Sequence, residues 1–370
     1  MSAVRISTAD GQAVTVTSHG ETVPNWAARY LGAWWTTEPT TQLTGPVVSG
    51  DVDETELREL TAVVTGGDPQ RIEYAGAEML YVRDGAMVTA TQPDEGLAYR
   101  WDGGRKLLRI VSTDETAAAA AATARLAREL VRAQLLTDGW EILHASAVTS
   151  EDGATILTLG DKGAGKTTTA FTLARAGWAM LANDRVFARV DDTGTVRVLP
   201  WPSAAAIGFG LLDALDLYET VREHLTSGEQ MHPTQHQTVT DALLTGHREP
   251  LWKKNGKGEL KPQFFPDQLT SWLSIPLATQ GHVVGILFPQ ITADAAPRLI
   301  ETSRGVQDGD FFDEATEDRY PDTFSLLPPP ADHTALRVRL AELPRQGLVM
   351  GHDTSVNTAL LKEAVGRLDA

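Results

Sequence analysis

The sequence predicts a two-part α/β protein: a small, mainly antiparallel β domain over 1–113, a connecting helix over 114–139, and an α/β domain over 140–370. Three observations lead there. Short strand-like runs between turn residues fill the first part, and an alanine-rich helical stretch follows. Beyond residue 140, apolar strands alternate with helical patterns around a glycine-rich loop at 160–167. A length of 370 residues suits about two domains and a core that needs no cross-links.

The first part is read from RIEYAG, AEMLYVRDG, AMVTATQPDEG, LAYRWDGG and RKLLRIVST. Asp84-Gly85 and Asp102-Gly103-Gly104 are hairpin turns in which glycine takes a positive φ. The helix begins at Asp114 as a cap and runs through an alanine series of high helix propensity to Gly139. Leu126, Leu130, Val131 and Leu135 recur at helical spacing, which makes it an amphipathic connector and not a flexible linker. Then come EILHASAV and TILTLG as strands, a helix from Lys166, and WAMLAND as the next strand. A proline-rich elaboration occupies about 200–270, HVVGILFP is a strand at 282–289, and an acidic surface excursion over 301–333 ends in three prolines. LRVRL at 336–340 reads as a final strand and 354–368 as a C-terminal helix.

Forty-nine acidic against 32 basic side chains give a formal charge of -17, a field that repels phosphate backbones and anionic lipid surfaces. Neither nucleic acid nor membrane is an expected partner. The absence of cysteine excludes disulfides, thiolate metal sites and cysteine nucleophiles. MSAVRISTADGQ has no basic stretch leading into an apolar one, so the expected location is cytoplasmic.

Residues 160–167, GDKGAGKT, match the phosphate-loop pattern G-x-x-x-x-G-K-[ST]. The pattern arises by accident in roughly one chain in a hundred of this length, but here a strand precedes it and a helix follows. Gly160, Gly163 and Gly165 let the backbone curl so that amides face anionic oxygens, with Asp161, Lys162, Ala164 and Thr168 completing the cradle. Lys166 is placed to bridge β- and γ-phosphates, and the Thr167 hydroxyl is the expected magnesium ligand. The chain has no Asn-Lys-x-Asp guanine-reading signature and no Leu-Ser-Gly-Gly-like transporter signature.

The run from Leu143 to Val190, with LHASAV and then GDKGAGKTTTAFTLARAGWAMLANDRV, resembles the HPr kinase/phosphorylase family and its broader P-loop relatives. Three elements carry the likeness in order, over about 50 residues: His144, 16 residues before the loop; the loop; and a polar pair, Asn183 and Asp184, where the family has two aspartates. The resemblance implies an HPr-kinase/PEP-carboxykinase-like P-loop kinase domain that uses ATP, or alternatively GTP, with Mg2+. It makes Asp184 the candidate general base and a magnesium ligand, and His144 the neighbour that orients the base or the phosphates. Asn183 carries one charge fewer than the family residue; its amide oxygen is a candidate ligand for magnesium or a hydrogen-bond partner. Read from residue type alone, His144 is equally a structural histidine, and Asp184 a turn cap or a partner of Arg185.

The family's C-terminal signature for gripping its carrier protein is not recognisable here, so the expected acceptor is a small hydroxyl compound and not HPr. A nucleoside, sugar or amino-acid derivative from a biosynthetic pathway fits. The alternatives are a protein or peptide serine kinase of the same class and a regulatory nucleotide-binding module without transfer. Arg185, Lys257 and Lys261 are candidate cations for the acceptor; the lysine-rich KKNGKGELK, with its Asn255-Gly256 turn, is otherwise a solvated loop. His232 and His236 have i, i+4 spacing, but Pro233 between them makes a surface loop the better reading than a metal pair. Asp191, Asp192 and the acidic patch from Asp308 to Asp318 are expected to face solvent, and the Trp34–Trp35 pair to lie in the core. Whether the chain forms homo-oligomers is left open.

Overall fold

Period-two alternation and tight turns set the first nine strands. The computed structural model describes residues 1–113, 117–254, 256, 258–293, 295–312 and 320–368. By its internal contacts the chain forms two units, Met1–Trp140 with Phe312–Ala331, and Glu141–Phe311 with Asp332–Ala370. Each is a mixed α/β assembly built on a large mixed sheet.

The first unit contains β1 (Ser2–Ser7), β2 (Ala13–Ser18), α1 (Thr22–Leu31), β3 (Thr36–Pro39), β4 (Val47–Val52) and α2 (Glu54–Thr65). It continues with β5 (Gln70–Tyr74), β6 (Ala77–Asp84), β7 (Met87–Gln92), β8 (Leu97–Asp102), β9 (Leu107–Ser112) and α3 (Ala117–Thr137). Its nine strands lie in the order β3-β1-β2-β4-β9-β8-β7-β6-β5. Most neighbours are antiparallel, but β2–β4 and β4–β9 run parallel. The helices α1 and α2 were not among the expected elements. The second opens on Asp53, whose carboxylate accepts the amides of Thr55 (3.1 Å) and Glu56 (2.9 Å), a cap that contributes about 1 kcal/mol. Gly85 turns β6 into β7 at φ 58°, whereas between β8 and β9 the positive φ falls on Lys106 (52°) and not on Gly103 or Gly104. Trp34 and Trp35 are buried.

The helix α3 packs on α1, β2, β4 and β9, so it belongs to this unit's core. Leu126, Leu130, Val131 and Leu135 are all buried, and so are Arg128, Glu129 and Arg132. The expected cap Asp114 lies outside the described residues; Gly139, at φ 81°, follows the helix end. Glu129 accepts from Arg128 (2.8 Å) and Arg132 (2.9 Å). Burial alone would push its carboxyl up, but the two guanidinium groups outweigh burial and hold it below the ordinary glutamate value. A depressed carboxyl stabilises the fold above its unfolded pKa and loses that contribution as pH falls through the folded value. Removing the carboxylate takes away the anion that two buried cations share, so Glu129→Ala should destabilise the protein by roughly 3–5 kcal/mol. Urea unfolding followed by tryptophan fluorescence measures this, and a change below about 1 kcal/mol, the usual worth of an exposed pair, would show that the triad is not an energetic unit.

The second unit begins with β10 (Glu141–Leu143), β11 (Ser146–Thr149), β12 (Ala154–Thr158), α4 (Lys166–Arg175), β13 (Ala179–Ala182), β14 (Val186–Val190) and β15 (Val196–Pro200). The elaboration supplies β16 (Ala205–Ala206), α5 (Phe209–Ala214), α6 (Tyr218–Thr226), α7 (Gln237–Thr245), β17 (Leu251–Trp252), β18 (Glu259–Leu260), β19 (Gln263–Phe264) and α8 (Pro266–Ser271). The strands β20 (Gly281–Ile291), β21 (Arg298–Ile300) and β22 (Arg345–Met350) complete it, with helices Thr334–Glu342 and Thr354–Leu368. The main sheet runs β10-β14-β15-β20-β12-β11-β13, and β22 joins β20 and β21. Parallel pairing links β12 to β20 and β20 to β22.

One core cluster includes Leu143, Leu157, Leu159, Val198, Ile286 and Phe288 from the sheet, with Leu336 and Leu340 against it. Those last two correct the expected strand at 336–340, which is helical. As a strand, Leu336, Val338 and Leu340 would share one face. As a helix, Leu336 and Leu340 meet at i, i+4 spacing and bury while Val338 is exposed. EILHASAV is likewise two strands, because β10 pairs with β14 while β11 pairs with β12 and β13. Among the described residues no helix is long and apolar enough to cross a membrane.

Candidate functional site

The glycine-rich loop joins the carboxyl end of β12 to α4, where open α/β sheets bring ligand-binding loops together. Its anchor is the Leu159 amide on the Leu287 carbonyl (3.0 Å) of the parallel neighbour β20. Gly163 and Gly165 take φ of 87° and 111°. At Gly165 a Cβ would stand 2.8 Å from Ile291 Cγ1 at the end of β20, so neither the backbone angle nor the space admits a side chain. No side chain caps α4, whose N-cap is Gly165, and the first amides of a helix have no carbonyl of their own helix to bond. The result is an uncapped run of donors at the positive end of a helix dipole.

Lys166 folds back over this loop, its Nζ 2.5 Å from the Gly160 carbonyl and 3.3 Å from that of Asp161. Its own carbonyl accepts the Ser146 hydroxyl at 2.8 Å, which ties the start of α4 to β11. Burial lowers the pKa of the ammonium; Asp184 and Asp310 pull it back, Arg304 pushes it down again, and Asp161 raises it. The net result is below the ordinary lysine value. Four charged side chains therefore surround this lysine, and sequence reasoning had named only two of them.

Asp184 follows β13 and is largely exposed, 3.8 Å from Arg185 Nε. Asn183, between β13 and Asp184, has its Oδ1 buried and without a hydrogen-bond partner among the described residues. An unpaired buried carbonyl oxygen costs free energy, and it is the donor type that a hard divalent cation takes. Thr167 and Thr168 are partly exposed in the first turn of α4, and Asp161 and Lys162 are exposed on the loop. His144 follows β10, and its amide donates to the Asp310 carbonyl at 2.8 Å. Among the described residues no group of three or more histidine or acidic side chains is assembled to hold a metal ion.

Asp310 corrects the reading of the acidic patch. Asp308 is exposed as expected, but Asp310 is buried, 2% exposed; Asp313, Glu314, Glu317 and Asp318 lie outside the described residues. Its carboxylate grips Arg304 through both oxygens, at 2.9 and 3.1 Å, and accepts the Gln307 amide at 2.8 Å. No periodic pattern marks either residue in the sequence, and the only signal was a lone arginine upstream of an acidic run.

The other candidates separate. Arg185 lies over the Trp201 ring at 5.6 Å as well as beside Asp184. Lys261 pairs with Glu259 at 3.7 Å, and no loop residue is among its described partners. Lys257 and Asn255 lie outside the described residues. His236 caps α7 through the Thr238 amide at 3.3 Å. His232, expected in a surface loop, is buried, with its Nδ1 2.7 Å from the Thr234 hydroxyl and its ring against Phe265. Both histidines thus serve local structure. Asp191 caps the turn between β14 and β15 through the amides of Thr193 and Thr195.

Compared with models of known protein families and with curated proteins, the sequence matches none of either.

Proposed function

We propose that this protein is an ATP- and magnesium-dependent kinase of the HPr-kinase-like P-loop class, transferring the γ-phosphoryl group to a hydroxyl of a small-molecule acceptor. The observation that carries the reading is Lys166 at an uncapped glycine loop, with the Asp184 carboxylate, just after β13, favouring its charged form. A phosphoryl transfer with a loose transition state asks for cations round the γ-oxygens, in-line positioning and one proton acceptor.

In this reading the loop amides and Lys166 hold the β- and γ-phosphates. The acceptor oxygen attacks phosphorus as the bond to the β–γ bridging oxygen breaks. The electron pair leaves with ADP, and the acceptor's proton passes to the Asp184 carboxylate. Magnesium, when bound, offsets charge on the phosphate oxygens; the Thr167 hydroxyl and the unpartnered Asn183 Oδ1 would hold it. His144 contributes through the turn it bonds, next to Asp310.

A protein or peptide serine kinase is the second reading, and the exposure of Asp184, 63% for its side chain, favours it, since a large acceptor can reach that carboxylate. One experiment addresses both. The protein is titrated with ATP and Mg2+ by calorimetry, then incubated with pools of hydroxyl metabolites and of serine peptides, which are searched by mass spectrometry for the gain of one phosphoryl group. Binding of ATP and a gain in the metabolite pool are expected. A gain confined to peptides would replace the acceptor class. ATP binding with no transfer to either pool would leave a nucleotide-binding module and overturn the kinase reading. Failure to hold ATP or GTP at millimolar concentration would overturn the nucleotide site itself.

A further inference from the structure

Arg304 is not explained by the loop motif or by the fold. It lies beyond β21, in a segment without regular structure, yet its guanidinium is one of the four charges around Lys166. Three supports fix it. Asp310 holds both terminal nitrogens, the Gly305 carbonyl accepts from Nη1 at 3.4 Å, and the Phe288 ring lies 4.8 Å beneath the plane. Asp310 is itself fixed by the Gln307 amide, while its carbonyl takes the His144 amide. The fork is thus pre-organised, in the geometry that suits bidentate oxyanion recognition.

A guanidinium carries five N–H donors. The bonds above use both donors of Nη1 and one of Nη2. Among the described residues no hydrogen bond uses the Nε proton or the second Nη2 proton. Beyond these bonds, Nη2 lies 4.0 Å from the carboxylate of Asp161, an exposed side chain on the glycine-rich loop. The fold therefore holds two like charges, Arg304 and Lys166, near one another over that loop and leaves donors of one of them unused. Neutralising Asp310 would not require the arginine to stand there. Asp310, Asp184 and Asp161 already offset these two charges, so what suits this point to a phosphate is the guanidinium's unused donors beside the glycine-rich loop.

We propose that Arg304 is the γ-phosphate ligand of this site, supplied from within the chain and locked in place by Asp310, so that the site distinguishes a nucleoside triphosphate from a diphosphate. The assignment rests on the kinase reading above and adds to it a specificity-determining residue. Lys166 bridges the β- and γ-groups and so binds both nucleotides in part, whereas Arg304 gains its contact only when the third phosphate is present. In transfer it opposes the charge that builds on the γ-oxygens, and once the phosphoryl group has left, ADP loses that contact and departs more readily.

The test is discrimination between ATP and ADP, each titrated with Mg2+ by calorimetry. Arg304→Gln combined with Asp310→Asn removes both charges of the pair and leaves neither buried alone. The wild-type protein should bind ATP more tightly than ADP. The double variant should lose ATP affinity by roughly ten- to a hundredfold, the worth of a charged hydrogen bond, and keep its ADP affinity within about twofold. Arg304→Lys retains the charge against Asp310 but not the fork, and gives the same readout with a smaller loss should the double variant fail to melt cooperatively. An ATP preference unchanged in the variant that folds, or equal losses for ATP and ADP, would overturn the assignment while leaving the nucleotide site standing. Wild-type protein that binds neither nucleotide would overturn the kinase reading and this assignment with it.

Discussion

Replacing Lys166 by alanine is expected to weaken ATP binding by roughly ten- to a hundredfold, the worth of one charged hydrogen bond at a phosphate. Turnover should fall further, by on the order of 10²–10³, because the ammonium opposes charge that grows in the transition state. The folded state should survive. The ammonium's own bonds are to two loop carbonyls, Gly160 and Asp161, and the start of α4 remains tied to β11 through the Lys166 carbonyl, which alanine retains. Burial already holds this ammonium below the ordinary lysine value, so its removal relieves a desolvation cost. Calorimetry with ATP and Mg2+ measures the binding loss, and a thermal melt checks the fold. Unchanged ATP affinity in a folded Lys166→Ala protein would place the nucleotide elsewhere.

The parts of this protein that local chemistry determines were legible. Runs such as TILTLG and WAMLAND state a strand through their own composition. The spacing of Gly160, Gly165 and Lys166 describes a loop whose geometry depends on a few adjacent residues. Other features depend on what comes from far away in the chain. LRVRL carries a period of two and a repeat at i, i+4 at once, and the choice falls to packing, which buries Leu336 and Leu340 and leaves Val338 in solvent. The pair Arg304 and Asp310 was illegible for a related reason. An aspartate in an acidic run is ordinarily solvated, and nothing nearby in sequence says that this one turns inward to meet an arginine. The second cation at the glycine-rich loop is a product of the fold, not of the motif.

The same distinction governs α3. Its leucine spacing predicted one apolar face, but the helix is covered on its polar side as well, since Arg128 and Arg132 share the Glu129 carboxylate within the core. Tyr320, from the later segment that belongs to the same unit, lies 5.5 Å from the Arg128 guanidinium and 4.9 Å from that of Arg125. Cation–π contact of this kind helps a buried arginine tolerate the loss of water. Periodicity registers apolar faces and is silent about charges that find their partners within one turn.

Asp184→Asn should separate binding from chemistry. The amide has nearly the shape of the carboxylate but does not accept the acceptor's proton, so turnover is expected to fall by roughly 10²–10⁴, the usual contribution of a positioned general base. ATP affinity should change little, because the loop amides and Lys166 are untouched. Loss of one negative charge beside Lys166, where Asp184 favours the charged ammonium, moves that lysine's pKa further down. ATP binding in the variant should consequently weaken at a lower pH than in the wild type as pH rises. Stability should be unaltered, since the side chain is mostly exposed and its nearest charged partner is Arg185 at 3.8 Å, a pair of the kind that contributes at most about 1 kcal/mol. Steady-state kinetics and calorimetry on one preparation provide the comparison. A fully active Asp184→Asn protein would remove Asp184 from the chemistry, and a variant that loses ATP binding in proportion to turnover would make it a ligand of the nucleotide's cation instead of the base.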